Sequence, residues 1–220
     1  MAYTEFVSLI HKSTKRDYVA RVVDYPKEVA AEKAKKWAYD YWDGDRKTGY
    51  GGYKYDGRWQ KVAKAMIEHY RLKPGDRILD VGSGKGFLLH DFKELLPEVE
   101  IQGIDISEYA KEHAVEDVRD KLLVACATDL PFESNSFDLV ISITTLHNLP
   151  PEKMVKALKE IERVRKKNAY VCVESFRNET EKVNLMYWQL TCECFARPNT
   201  WAWYFETAGY TGDHEFIYFE

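Results

Sequence analysis

The feature that most constrains this chain is a glycine run set between two different periodicities. Arg77-Ile78-Leu79-Asp80-Val81 is a short apolar run of strand type, while Leu88, Leu89, Phe92, Leu95 and Leu96 recur at helical spacing before Pro97. Between them stands Asp80-Val81-Gly82-Ser83-Gly84-Lys85-Gly86. Glycines there permit positive φ in a tight strand-to-helix turn and let a ligand approach the backbone. The alternation continues on both sides. Trp59, Val62, Ala63, Met66, Ile67 and Tyr70 mark a preceding helix, stopped by Lys73-Pro74-Gly75-Asp76. Strands are expected over 99–104, 122–126, 137–143 and 169–173, with a helix opening at Ser107 as N-cap and another carried by Met154, Ala157, Leu158, Ile161 and Val164. Strand and helix in turn imply a doubly wound α/β fold, its sheet mostly parallel and covered on both faces. Ligands of such sheets bind beyond the carboxyl ends of the strands, at the switch point.

The glycine spacing excludes a dinucleotide fingerprint. Counting G-x-G-x-x-G from Gly82, the third glycine should stand where this chain has Phe87. The stretch instead resembles the first motif of class I S-adenosylmethionine-dependent methyltransferases, an acidic residue followed by x-G-x-G-x-G. Three further motifs follow in order: Ile101-Gln102-Gly103-Ile104-Asp105, Ala127-Thr128-Asp129-Leu130-Pro131-Phe132, and Ser136 to Ser142 running into Ile143-Thr144-Thr145-Leu146-His147-Asn148. The resemblance covers about residues 57–175 and implies S-adenosylmethionine as cofactor. It implies that Asp105 holds the ribose hydroxyls, that Asp129 accepts from the adenine amino group beside Leu130, and that Asp80 helps place the amino-acid end. Gly82, Ser83, Gly84, Gly86, Ile106 and Ile143 would complete the cofactor site, with Tyr53 from a lid. The bland alternative for Asp105 and Asp129 is that they cap helices or turns.

The flanks read as additions to one domain: an N-terminal helical lid over 1–56, the cofactor-binding core over 57–175, and an aromatic cap insertion with the sheet edge over 176–220. Ala30, Ala34, Trp37, Ala38, Tyr41 and Trp42 make one helix face that docks on the core. The Gly- and Tyr-rich stretch 49–56 reads as a lid with Tyr50, Tyr53 or Tyr55 as contacts, or else as a linker held by packed tyrosines. Residues 176–199 carry Leu185, Met186, Tyr187, Trp188, Leu190 and Phe195, which either roof a substrate pocket or pack an extra helix on the sheet. A helix over 200–208, closed by Gly209, precedes one last strand over 215–219 whose direction is open.

A hydroxyl or ammonium nucleophile must lose a proton before it accepts a methyl group. His147 and Glu174, beyond the fourth and fifth strands, are the candidate catalytic residues; His147 has the intrinsic pKa of a base near neutrality, and its alternative role is structural. No metal-ligand cluster can be assembled from the motifs. The net charge of −4 argues against a nucleic-acid substrate, although residues 1–60 carry 12 Lys and Arg against 9 Asp and Glu. No window approaches a membrane span, and Glu5, His11, Lys12, Lys15, Arg16 and Asp17 fit no secretory signal. Cys126, Cys172, Cys192 and Cys194 are too sparse for a disulfide scaffold. The expectation is a reduced, cytoplasmic enzyme, monomer or homodimer, methylating oxygen or nitrogen of a small molecule. The alternative is a cofactor-binding pseudoenzyme or partner subunit of a methyltransferase complex.

Overall fold

Short apolar runs bounded by turn residues become the strands. In the computed structural model, which describes residues 1–12 and 16–220, β1 is Arg77–Val81, β2 Glu100–Asp105, β3 Leu122–Val124, β4 Phe137–Ile143, β5 Arg165–Glu174 and β6 Asp213–Ile217. Lys15, part of the charged N-terminal stretch, lies outside the described residues. The strand order is β3-β2-β1-β4-β5-β6, and every neighbouring pair is parallel. The order reverses between β1 and β4, so the crevice opens beyond Val81 and Ile143.

The helices are α1 Ser8–Lys12, α2 Ala20–Val23, α3 Lys27–Ala34, α4 Tyr39–Trp42, α5 Gln60–Tyr70, α6 Phe87–Leu95, α7 Glu108–Glu112, α8 Pro151–Val164, α9 Glu179–Trp188 and α10 Pro198–Ala208. Side chains alternate across a strand, so β1 feeds two cores. Ile78 packs with Val62 and Met66 of α5 and Leu89 and Phe92 of α6. Leu79 and Val81 pack with Leu158 and Ile161 of α8 and Trp201 and Phe205 of α10. Burial on both faces is why β1 and β4 read as continuous apolar runs rather than alternating ones.

The last strand is parallel to β5, with Tyr170 beside Asp213 and Glu174 beside Ile217. The chain returns through α9 and α10 before pairing, and a crossover of that length delivers a parallel neighbour. The outer edge of β6 is covered by the N-terminus: Thr4 N–H donates to the His214 carbonyl and His214 N–H to that of Ala2, both at 3.0 Å. Fully buried Glu215 then fastens α1 to the sheet, its carboxylate accepting from the N–H groups of Phe6, Val7 and Ser8 at 2.6–2.9 Å.

Several boundaries differ from expectation. The single helix face drawn through 30–42 is two helices, α3 and α4, broken where Trp37 takes φ 53°. β3 stops at Val124, β5 begins at Arg165 with a polar, half-exposed start, and β6 occupies 213–217. Ser107 does cap α7, its side chain accepting from Ala110 N–H at 2.9 Å.

Candidate active site

Where β1 ends, the chain turns through Gly82 and Gly84 at φ 86° and 52°. The N–H groups of Gly82 and Ser83 donate to the Ile104 carbonyl at 2.8 and 2.9 Å, and that of Gly84 to Asp105 Oδ2 at 2.8 Å. The loop is thereby laced to the end of β2, which sets Asp105 beside it; Asp105 Oδ1 accepts from Ser107 N–H at 2.9 Å. A Cβ on Gly84 would lie 2.9 Å from Trp42 Cη2, and one on Gly82 would overlap the Thr145 side chain. Only glycine satisfies both the positive φ and the closeness.

The resulting cleft is lined by Asp80, Gly82, Ser83, Gly84, Asp105, Ile106 and Ile143, with Trp42 and Tyr53 from the N-terminal region. Burial, then the neighbouring Asp105, pushes Asp80 up to about 8. Burial also raises Asp105, outweighing the N–H donors of Ser107, Gly84 and Ile106. Gly86 stands one step back, as the cap of α6 at φ 75°. Asp129 and Leu130 lie outside this wall. Asp129 is exposed, and buried Leu130 spends its N–H on Glu160 Oε2 at 2.9 Å and its carbonyl on Arg163 at 3.0 Å. Ala125, Cys126 and Ala127 line the cleft there instead.

The N-terminal region is bolted over the cleft by a pair that sequence reasoning did not single out, Lys85 and Asp43, beside the aromatic residues it did. Buried Lys85 Nζ donates to both oxygens of Asp43, at 2.7 and 2.6 Å, and to the Tyr53 carbonyl at 2.9 Å. Burial opposes ionisation of Asp43, but Lys85 and the Tyr109 hydroxyl outweigh it and hold the carboxyl below its usual range. Trp42 Nε1 donates to Ser107 Oγ at 2.9 Å, Tyr50 stacks on Trp42 and Tyr53 on Phe87. Tyr55 turns away, donating to Asp91 Oδ1 at 2.5 Å.

The cleft adjoins a second cavity, the two sharing Tyr41, Tyr50, Tyr53, Trp59, Phe87, Thr144 and Asn148. Glu174 and His147 line the second cavity and are only 5% and 1% exposed. His147 Nδ1 accepts from Glu174 N–H at 3.4 Å, which leaves the ring proton on Nε2. Nε2 lies 3.3 Å from Glu174 Oε2, too poorly aligned for a hydrogen bond. The Gln189 amide donates to Oε1, while Oε2 is buried with no hydrogen-bond partner. Burial pushes Glu174 up to about 8, against the pull of Gln189 and Arg16, and lowers His147 to about 3. The structure therefore places both candidate catalytic residues in the cavity beside a cleft lined by the candidate cofactor residues of the first two motifs, while those of the third lie outside that cleft.

Comparison with known proteins agrees with this geometry. A methyltransferase-domain profile matches residues 72–209, and one for protein-L-isoaspartate(D-aspartate) O-methyltransferase matches residues 10–130. The chain is 31% identical over 145 residues to a demethylmenaquinone methyltransferase of Symbiobacterium thermophilum, covering 60% of this chain and 57% of that one. It is 35% identical over 130 residues to a tRNA (carboxymethyluridine(34)-5-O)-methyltransferase of Arabidopsis thaliana, covering 59% and 30%. The chain thus spans between about a third and three fifths of these relatives' lengths. The YcgJ protein of Bacillus subtilis shares the fold with a TM-score of 0.55 at 22% identity, over 66% of each chain. So does the [4+2]-cyclase SpnF, with a TM-score of 0.55 at 20% identity over 68% of this chain and 56% of that one. With the motifs in order, a switch-point cleft built from them and a family profile across most of the sheet, the chain belongs to the class I S-adenosylmethionine-dependent methyltransferases.

Proposed function

We propose that this protein transfers the methyl group of S-adenosylmethionine to oxygen or nitrogen of a small acceptor in the second cavity, with Glu174 taking the acceptor's proton. The cleft suits the cofactor. Asp105 keeps acceptor capacity beyond its backbone N–H donors for ribose hydroxyls, and Asp80 is a buried carboxyl whose ionisation a cationic ligand would restore. Ile106 and the 125–127 wall leave apolar surface for the adenine ring. When bound, the cofactor supplies a methyl group already made electrophilic by its sulfonium.

The chain's own contribution is alignment and exclusion of water. Trp42, Tyr50 and Tyr53 close one side, and the shared wall at Thr144 and Asn148 leads from cofactor to acceptor. The observation that carries the reading is Glu174 Oε2, buried without a hydrogen-bond partner in a cavity that adjoins the cleft. Its ionised form is the stronger base of the pair, because His147 already uses its Nδ1 lone pair on the backbone. His147 is then a positioning residue that holds the Glu174 backbone through its Nδ1. Among the relatives, one is named for demethylmenaquinone and one for a tRNA nucleotide. The depth of Glu174 and the net charge of −4 support a small acceptor here.

The test is methyl transfer from labelled S-adenosylmethionine to fractionated metabolites between pH 6 and 9. Turnover should rise with pH through about 8, as Glu174 loses its proton. Glu174→Gln should lower it by about 10²–10⁴ while cofactor affinity is kept. A flat pH profile together with less than a tenfold loss in Glu174→Gln would overturn the assignment.

A further inference from the structure

Three arginines distant in sequence meet on one indole. The guanidinium carbons of Arg16, Arg21 and Arg46 lie 5.4, 5.0 and 5.1 Å from the centre of the Trp188 ring. No two of them are therefore more than about 11 Å apart, and all line the cavity that holds Glu174. None lines the cofactor cleft.

Like charges gathered this way repel, and stacking on an indole offsets only part of the repulsion. Burial and Arg46 push Arg21 down to about 10. Arg21 donates Nε to the Trp188 carbonyl at 3.3 Å, and Arg46 donates Nη1 to the Tyr50 carbonyl at 2.9 Å. A guanidinium carries five N–H groups, so both retain donors. Among the described residues no carboxylate forms an ion pair with Arg21 or Arg46. The nearby Asp56 is tied to Arg58 at 2.6 Å, and Glu174 is largely protonated at neutrality. The cavity thus combines concentrated positive charge with a buried carboxyl whose Oε2 has no hydrogen-bond partner.

Resting on the methyl-transfer reading, we propose that the acceptor is a small anion whose carboxylate or phosphate group is held by Arg16, Arg21 and Arg46 around Trp188, leaving its nucleophilic hydroxyl or amine to Glu174. Guanidinium forks match both anions, two N–H groups to two oxygens. The aliphatic stems and the indole supply the apolar contact that fixes the remainder of the molecule.

The experiment titrates inorganic pyrophosphate and, separately, malonate into protein saturated with S-adenosylhomocysteine, by calorimetry at moderate salt. The cofactor product is titrated into each variant in parallel. Wild type should bind at least one anion with millimolar or tighter affinity, the tighter of the two indicating phosphate or carboxylate. Arg21→Gln and Arg46→Gln should each weaken that binding tenfold or more with unchanged melting temperature and cofactor affinity. No anion binding by wild type, or equal binding by both variants, would overturn the proposal. So would loss of cofactor affinity in the variants, which would assign the arginines to the cofactor's own carboxylate. Anion binding that depends on the arginines in a protein that ignores S-adenosylhomocysteine would instead strike the methyl-transfer reading.

Discussion

Replacing Lys85 by methionine keeps the shape of the bolt between the glycine loop and the N-terminal region and removes its charge. Lys85 Nζ makes two charge-assisted hydrogen bonds to Asp43 and one to the Tyr53 carbonyl, with its side chain 5% exposed. Truncating one member of a buried pair costs about 3–5 kcal/mol when the other is stranded. Asp43 is not fully stranded: its side chain is 20% exposed and keeps the Tyr109 hydroxyl at 2.9 Å and the Tyr53 N–H at 3.1 Å. The expected cost of Lys85→Met is therefore about 2–3 kcal/mol. The amides of Tyr50, Gly52 and Tyr53 report it, because they bond back to Tyr41 and Trp42 within the same segment. Their hydrogen exchange should accelerate about 30- to 150-fold, the same energy expressed as a rate ratio. Amides of the central strands should change less if the segment opens alone. Asp43→Asn should act similarly, and the double variant should fall short of the sum by at least about 1 kcal/mol. Additive single effects, or unchanged exchange at those three amides, would refute the bolt.

Gly84→Ala should weaken S-adenosylhomocysteine binding tenfold or more by calorimetry, since the added Cβ meets Trp42 at 2.9 Å and the residue sits at φ 52°. Glu215→Gln should lower the urea unfolding free energy by about 2–4 kcal/mol, because an amide places donors against the N–H groups of Phe6, Val7 and Ser8. Glu174 ties stability to pH: the unfolded chain releases this proton near 4.5, whereas the fold retains it to about 8. Stability is then highest below 4.5 with respect to this group and falls as pH rises towards 8, by a few kcal/mol. Glu174→Gln should remove that slope, making the variant more stable than wild type at pH 8.5 in urea titrations and nearly equal at pH 5.

How much of this was legible depended on whether local pattern and tertiary context agreed. Residues 77–81 and 137–143 form β1 and β4 at the expected bounds, because turn residues delimit them and both faces are buried. The apolar spacing from Ala30 to Trp42 runs through a break, since Trp37 adopts a left-handed turn that periodicity does not reveal. The direction of β6 depended on the path of 176–212, which no local motif encodes. In the site, Asp80, Gly82, Gly84 and Asp105 were readable because their spacing is fixed by one turn between adjacent strands. Asp129 fitted a motif by order alone, and the loop after β3 turns its side chain to solvent while Glu160 and Arg163 hold Leu130. The Lys85–Asp43 bolt and the arginines around Trp188 join residues 42 to 172 positions apart, so only the fold brings them together.

A structure with S-adenosylhomocysteine bound tests the two-chamber account most directly. The account predicts the ribose on Asp105, the amino-acid end near Asp80 and Gly84, and the sulfur turned towards the wall of Thr144 and Asn148 that the cavity of Glu174 shares. A product whose sulfur faces away from that wall, or which lies outside the cleft between β1 and β4, would contradict it.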